Sequence, residues 1–329
     1  MIMKNLIPAF LLVLAASACS NPLDYRVGQQ PELIVMNSQL RTDDSRHSVF
    51  LSLGLVGEVK PLPDAELDCY VNGSFITKAR PCPQDSTSTS AYMGQSYATE
   101  YLFDAEIRPG DEIRLAASSG DLHASATVTA PQPALLAAVD TVSLPVSPYS
   151  TIYTTYGSEY TEALACRLRI EDRPSEQNWY RLCVSLATDR EERHSIRFGF
   201  DRDLILNDGY KSSDAFNFGQ APDNSFCTFS DMQFTDKSAE VEIHILKDNL
   251  RFVRKNWVKN GLPSLQLRLL TLSLEEYTYL NAINAAEIWG FDGAMLTEPV
   301  SFPSNVEGGL GLVSVASASD IELELPDLE

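Results

Sequence analysis

From Leu33 to Ala130 the chain alternates apolar and polar residues in short runs, a period of two that half-buried β-strands satisfy and helices do not. Val49, Leu51, Leu53 and Leu55 share one face. Ala65, Leu67, Cys69 and Val71 share another, ahead of Asn72-Gly73, a pair suited to a tight hairpin turn, and Ser74 to Ala79 returns. Tyr97, Thr99, Tyr101, Phe103, Ala105 and Ile107 form a further inward row that stops at Pro109-Gly110-Asp111. Ile113, Leu115 and Ala117 follow, then Ala124, Ala126 and Val128. With Leu33 to Leu40 counted first, about seven short strands in roughly 100 residues predict an immunoglobulin-like or fibronectin-type β-sandwich over residues 33–131. Pro131-Gln132-Pro133 breaks the pattern and marks a domain boundary.

Residues 134–329 read as a larger β-rich domain with longer, less regular strands, expected at Leu164 to Ile170, Trp179 to Ala187, Ser195 to Phe200, Ala239 to Leu246 and Ser264 to Thr271. One stretch changes period. Ser273-Leu274-Glu275-Glu276 has the form of a capping box, Ser273 capping the helix and Glu276 reaching back, and the helix it opens spans 274–289 before Gly290 stops it. Tyr277, Leu280, Asn284 and Ile288 fall on one face, so this helix should plug the edge or end of a sheet. The whole is mainly β, and more chain than one core organises, which predicts two domains.

Ahead of these domains, Met1 to Asn5 carries one positive charge, Leu6 to Ala16 is apolar but shorter than the roughly 20 residues a membrane span needs, and Ala16-Ser17-Ala18 leads into Cys19. That order matches a bacterial lipoprotein signal peptide over 1–18, with lipidation of the Cys19 thiol; Ala16 in place of leucine is a modest departure. A single acyl chain anchors only marginally, so several chains on Cys19 would be needed for lasting attachment. Residues 19–32 lack periodicity and read as a lipidated tether. The formal net charge is −20, which excludes a nucleic-acid or anionic-lipid binder and fits a solvated envelope protein.

None of the remaining cysteines has zinc or iron-sulfur spacing. Cys69 and Cys82 flank the Asn72-Gly73 turn and are candidates for a disulfide, whereas Cys166 and Cys183 are expected on opposite pleats and reduced. His47, His123, His194 and His244 are dispersed, so no metal site and no cofactor are expected. Gly94-Gln95-Ser96-Tyr97-Ala98 approaches a nucleophile elbow but precedes a strand, not a helix. Asp201 to Asp214 is oxygen-rich but misses the EF-hand spacing at Ile205, and Asn207-Asp208-Gly209 reads better as a turn. Lys247, Arg251, Arg254, Lys255 and Lys259 form a basic cluster that could dock an acidic loop, though a solvated face is its ordinary use. Asn305 to Gly311 is glycine-rich without the lysine of a phosphate loop, and close strand approach explains it.

Four stretches resemble a family of Bacteroidota lipoproteins described as domain of unknown function 4249: RPGDEIRLAASSGDLHASATVTAPQP at 108–133, a hairpin IEDRPSEQNWYRLCV at 170–184, FSDMQFTDK at 229–237, and EEYTYLNAI with FPSNVEGGLGLV at 302–313. The resemblance implies an outer-membrane lipoprotein encoded beside a TonB-dependent receptor, with no assigned activity and no catalytic residue to carry over beyond lipidated Cys19. It favours the cell surface over the periplasmic face, although Ser20-Asn21-Pro22-Leu23-Asp24 lacks the acidic run that often follows the cysteine in surface lipoproteins of this phylum. Asp85-Ser86-Thr87 and Asp140-Thr141-Val142 are similar to the phylum's O-glycosylation pattern. The resulting expectation is a non-enzymatic, lipid-anchored accessory or binding protein, with a TonB-dependent barrel as partner in nutrient capture. A structural or adhesive surface protein is the second reading, and a hydrolase assembled from distant residues the third.

Overall fold

The computed structural model describes residues 32–55, 58–82, 97–146, 161–173, 176–187, 193–200, 203–206, 224–257, 264–289 and 302–325. They are mainly β. The first half contains β1 (Leu33–Arg41), β2 (Arg46–Leu55), β3 (Glu58–Pro61), β4 (Glu66–Val71), β5 (Ser74–Lys78), β6 (Arg80–Pro81), β7 (Thr99–Asp104), β8 (Glu112–Ser119) and β9 (Leu122–Thr129). The second contains β10 (Leu135–Val146), β11 (Thr161–Glu171), β12 (Trp179–Ala187), β13 (Arg193–Ser195), β14 (Thr228–Ser230), β15 (Ser238–Leu246), α1 (Lys247–Trp257), β16 (Ser264–Leu272), α2 (Leu274–Trp289) and β17 (Val313–Glu324).

In the first half, the sheet β5-β4-β8-β9 and the strands β1, β2 and β7 contribute to one core. Ile34, Met36, Leu51 and Tyr101 from one sheet meet Leu67, Ile113, Leu115 and Val128 from the other, as the alternation requires. Each large side chain so buried is worth about 1.5–3 kcal/mol. The Tyr101 hydroxyl stays satisfied by donating to the Leu62 carbonyl at 2.9 Å and accepting from the Ala65 N–H at 3.0 Å. Asn72 and Gly73 both adopt positive φ, 51° and 76°, which is the two-residue turn their sequence suggests.

A second core lies between β10-β11-β15 and the half of the large sheet formed by β12 and β16. Leu168, Ile170, Val241 and Ile243 face Tyr180, Leu182, Val184, Leu267 and Leu269 there. The segment 170–184, expected as a hairpin, instead carries the chain from one layer to the other: β11 and β12 belong to different sheets. Cys166 faces this core and Cys183 the opposite side of β12, and both are unbridged.

The two halves are joined by β17. Its residues Val313–Ala316 pair in parallel with Ser38–Arg41 of β1, and Ala316–Glu324 pair antiparallel with β16, so one ten-stranded sheet runs through both cores. Val306, Val313 and Val315 complete the first core from the far end of the chain. At the expected boundary the linker is held to β16 and β17: Ser317 Oγ donates to the Pro131 carbonyl, and the Ala134 and Leu136 N–H groups donate to Thr271 Oγ1 and Ser319 Oγ at 3.0 and 3.1 Å. The glycine-rich stretch lies against β1, where a Cβ on Gly309 would sit 2.4 Å from the Ile34 carbonyl oxygen and one on Gly311 2.2 Å from that of Met36. Close backbone approach therefore explains these glycines.

Helix α2 begins where expected, with Ser273 Oγ accepting from the Glu276 N–H at 3.5 Å. The second half of the expected capping box is different: the Ser273 N–H donates to the Val315 carbonyl, and Glu276 is buried in an ion pair. Of the expected 195–200 strand only Ser195 lies in a strand, β13, with an isolated bridge from Gly199 to His244. Helix α1, β10 and β17 were not anticipated from periodicity.

Candidate functional site

The connections between the two layers of the second unit bring segments 170–180 and 229–238 side by side. The Asp172 N–H donates to the Lys237 carbonyl at 2.8 Å, the Asp231 N–H donates to the Asn178 carbonyl at 3.2 Å, and Trp179 pairs with Ser230. Thr235 and Ser238 exchange both backbone hydrogen bonds across Asp236 and Lys237, whose φ values are 51° and 62°. Such a turn needs positive φ at both central residues and ordinarily uses Asn-Gly, so two side-chain-bearing residues hold a strained conformation here.

Polar side chains gather at this junction. Asn178 Nδ2 donates to both Asp172 carboxylate oxygens at 3.1 Å, and the Arg173 N–H donates to Oδ1 at 2.6 Å. The Asp231 carboxylate, 5% exposed, lies beside that of Asp172 and 3.6 Å from Lys237 Nζ. Burial, ahead of neighbouring Asp172, holds the Asp231 carboxyl above its usual range. Tyr180 is fully buried, its ring stacked on Phe234 with centroids 5.7 Å apart and tilted against Phe229 at 5.4 Å. Its hydroxyl stands beside Asp172 and Asp231, and burial followed by the Asp172 charge raises its pKa strongly.

Above this cluster opens a cleft of about 650 Å³, lined among others by Arg169, Asp172, Gln233, Thr235, Lys237 and Glu240. Its acidic lining, Glu171, Asp172, Asp236 and Glu240, outnumbers its basic lining, Arg169 and Lys237, and Arg169 is engaged with Glu240 at 2.7 Å. Leu204 and Met232, chain neighbours of lining residues Ile205 and Gln233, are 76% and 75% exposed. The cleft offers carboxylate acceptors, the Lys237 ammonium and apolar contacts from Ile205 and Ala239.

A second buried polar group ties α2 to β1. Arg41 Nη1 and Nη2 donate to the two Glu276 oxygens at 3.0 and 2.8 Å, and Ser314 Oγ donates to Oε2 at 3.0 Å. Glu276 is 0% and Arg41 14% exposed, so this pair fixes the junction between the halves.

The residues singled out by sequence are dispersed. The signal peptide, Cys19 and the tether lie outside the described residues, as do Gly94 to Ser96 of the elbow-like segment, Asp85-Ser86-Thr87, and all of 201–214 except Asp203–Leu206. The Asp203 carboxylate accepts the N–H groups of Ile205 and Leu206 at 2.9 Å and of Glu242 at 2.8 Å, a structural use. Cys69 points into the first core on β4, whereas Cys82 follows β6 in the opposite sheet; the proposed disulfide is not formed. His47 is buried against the Ala105 carbonyl and His244 against Glu242, each at 3.0 Å. Within the basic cluster, Lys247 is buried and paired with Glu162 at 2.8 Å, and Arg251 pairs with Asp248 at 2.9 Å. Asp140-Thr141-Val142 is exposed on β10. Among the described residues no group of three or more His, Cys, Asp or Glu could hold a metal ion, and no helix is long and apolar enough to cross a membrane.

Sequence reasoning did not connect Asp172, Asn178, Tyr180, Asp231 and Lys237, although they sit in two of the stretches noted above, 170–184 and 229–237. Comparison with protein families finds one model matching residues 20–322, described as "Domain of unknown function (DUF4249)". No curated protein matches the chain.

Proposed function

Because this chain belongs to the DUF4249 family, whose description assigns no activity, we propose from its own residues that it is a lipid-anchored accessory protein of the outer membrane that binds beside a TonB-dependent transporter. The observation that carries the reading is the leader: a charged start, a short apolar run and Ala16-Ser17-Ala18 before Cys19. The register supports a definite order of parts. β1 runs about 30 Å from Leu33 to Arg41 at roughly 3.3 Å per residue, and Arg41 lies opposite Ala316. Beyond that level β17 continues into the second unit. Trp179 aligns with Leu272 and Leu272 with Ala316, so the cleft lies at the end of the second unit that is level with Arg41. Lipidation of Cys19 would hold that cleft on the membrane that carries the barrel.

Purification of the full chain from native membranes tests this, using mild detergent and intact mass spectrometry. The expected result is a polypeptide beginning at acylated Cys19 that co-purifies with a β-barrel. An unacylated thiol, or recovery without any barrel across detergents, would overturn it.

A further inference from the structure

β10 is an outer strand of the sheet β10-β11-β15, and along its free side it pairs with no strand among the described residues. Alternation tells which backbone groups that side presents. On β15, His244 exchanges both backbone hydrogen bonds with Gly199, away from β11. Ile243 therefore bonds to Cys166 opposite it, and Arg167 and Ala165 turn to Asp140 and Val142 of β10. The N–H and C=O groups of Thr141 and Ser143 are left pointing outward. By the same parity the Leu136 N–H points outward before the register shift at Val139, and there it is used, donating to Ser319 Oγ. From Ala137 to Ser143 both faces are exposed as well, so this part of the strand projects beyond the layer it packs on. An edge of this kind is a template for another strand, and natural chains blunt it with charges, prolines or bulges. Between Leu135 and Val146 the only charge is Asp140, already paired with Arg167 at 3.3 Å; the other two devices are Pro145 and the register shift at Val139.

Those two devices stand symmetrically about Val142. When a second β10 lies antiparallel with Val142 opposite Val142, Thr141 of each copy meets Ser143 of the other, and Asp140 meets Leu144. Both Thr141–Ser143 pairs are of the hydrogen-bonded kind, with two backbone bonds each. The valines form the close pair between them, a β-branched contact from side chains 43% exposed in the single chain. No like charges meet. Pro145, which has no N–H to give, falls opposite Val139, where the other strand is already irregular, so the two defects coincide outside the ladder. Sliding one strand by two residues, the smallest step that keeps side chains on their faces, sets Ser143 against the bulge or Thr141 against Pro145 and loses one hydrogen-bonded pair. The net charge of −20 sets copies of this chain against each other over most of the surface, and this strip, its one carboxylate matched by Arg167, is free of that repulsion. We propose that β10 is a self-pairing edge: two copies join through antiparallel β10 strands about a two-fold axis at Val142, merging their three-stranded sheets into one.

Sedimentation velocity of the full chain in detergent, over a wide range of concentration, reads the oligomeric state, and oxidation of Val142→Cys reads the register. Cysteines at the axis would sit in a non-hydrogen-bonded pair, about 4.5 Å between Cα atoms, within the reach of a disulfide. Glutathione disulfide serves as oxidant, taking up the two electrons and two protons that the thiols release. Expected are a dimer for the wild type and a covalent dimer of Val142→Cys on a non-reducing gel. Thr141→Cys, whose thiol would oppose Ser143, should not cross-link above the wild type, which controls for the native thiols. Val142→Lys sets two ammonium groups at the axis, and Thr141→Pro removes an outward N–H that the ladder to β11 does not use. Each should halve the sedimenting mass. Both side chains are exposed, so the variants keep the fold, which an unchanged circular dichroism spectrum verifies. A wild type that stays monomeric at every concentration, a dimer that survives both substitutions, or a Val142→Cys that cross-links no better than Thr141→Cys would overturn the proposal. So would cross-linking of Val142→Cys to a different polypeptide alone, because the edge would then serve a foreign strand. None of these results touches the accessory reading, which co-purification with a barrel decides.

Discussion

The Arg41–Glu276 pair makes the sharpest stability prediction. Glu276 is wholly buried, receives two hydrogen bonds from one guanidinium and a third from Ser314, and joins the first turn of α2 to the last residue of β1. Replacing Arg41 by methionine keeps most of the packing but leaves a buried carboxylate without its counter-charge. Removing one partner of such a pair costs about 3–5 kcal/mol. In a chain of this size that lowers the melting temperature by on the order of 10 °C. Replacing both partners, Arg41→Met with Glu276→Met, removes the stranded charge as well as the bond, and should return stability to within about 1 kcal/mol of the wild type. Urea unfolding of the full chain, followed by tryptophan fluorescence, gives all four corners of the cycle. The expected pattern is two costly single variants and a mild double variant. A cost below about 1 kcal/mol for Arg41→Met, or a double variant as unstable as the sum of the singles, would refute the reasoning, because each would show that the two groups do not depend on each other.

Gly311→Ala should destabilise by roughly 2 kcal/mol or more, since φ is +118° and the added Cβ would meet the Met36 carbonyl oxygen at 2.2 Å; Gly73→Ala, with open space at φ +76°, should cost only about 1 kcal/mol, and thermal melts compare them. His47 is held below its ordinary pKa of 6.5 by burial, so its neutral form favours the fold: that stability is present above pH 6.5 and lost as pH falls through the lowered folded-state pKa, and His47→Asn should flatten this slope in melts taken across the acid range. Burial pushes the Cys69 and Cys166 thiols up to about 12, so iodoacetamide near pH 8 should label neither in the native chain and both after unfolding, as peptide mass spectrometry would show.

The strands that the sequence revealed are those with one buried and one solvated face. Leu67, Cys69, Ile113 and Leu115 alternate with polar neighbours because β4 and β8 each cover a core on one side only. β17 was not legible for the opposite reason. Residues 312–317 are buried on both faces, with Ser314 and Ser317 inside alongside Val313 and Val315, and small polar residues erase the contrast that periodicity depends on. β10 fails the other way, since from Ala137 to Ser143 both of its faces are exposed. The helix α1 has a run of cations but few apolar residues, and Leu250 is the buried contact that holds it against the second core. Glu276 was placed on the correct helix with the wrong partner, because Arg41 lies 235 residues away and no local pattern can name it.

The candidate site was hidden by the same long-range logic. Asp172, Asn178 and Tyr180 leave one layer as Asp231 and Lys237 enter the other, and neither segment alone has the spacing of a site. What each segment did show was local: a strand end followed by a connection rich in charge. The physical clue that was available is Lys237 itself. A two-residue turn between Thr235 and Ser238 would be eased by glycine, yet the chain places Asp236 and Lys237 there at positive φ. Lys237 holds a strained backbone conformation that brings its ammonium within 3.6 Å of a buried carboxylate, at a cleft where the connections between two sheets lie. A turn selected for stability alone would carry Asn-Gly, as at Asn72-Gly73, so at 236–237 the strain falls on two charged residues that line the cleft.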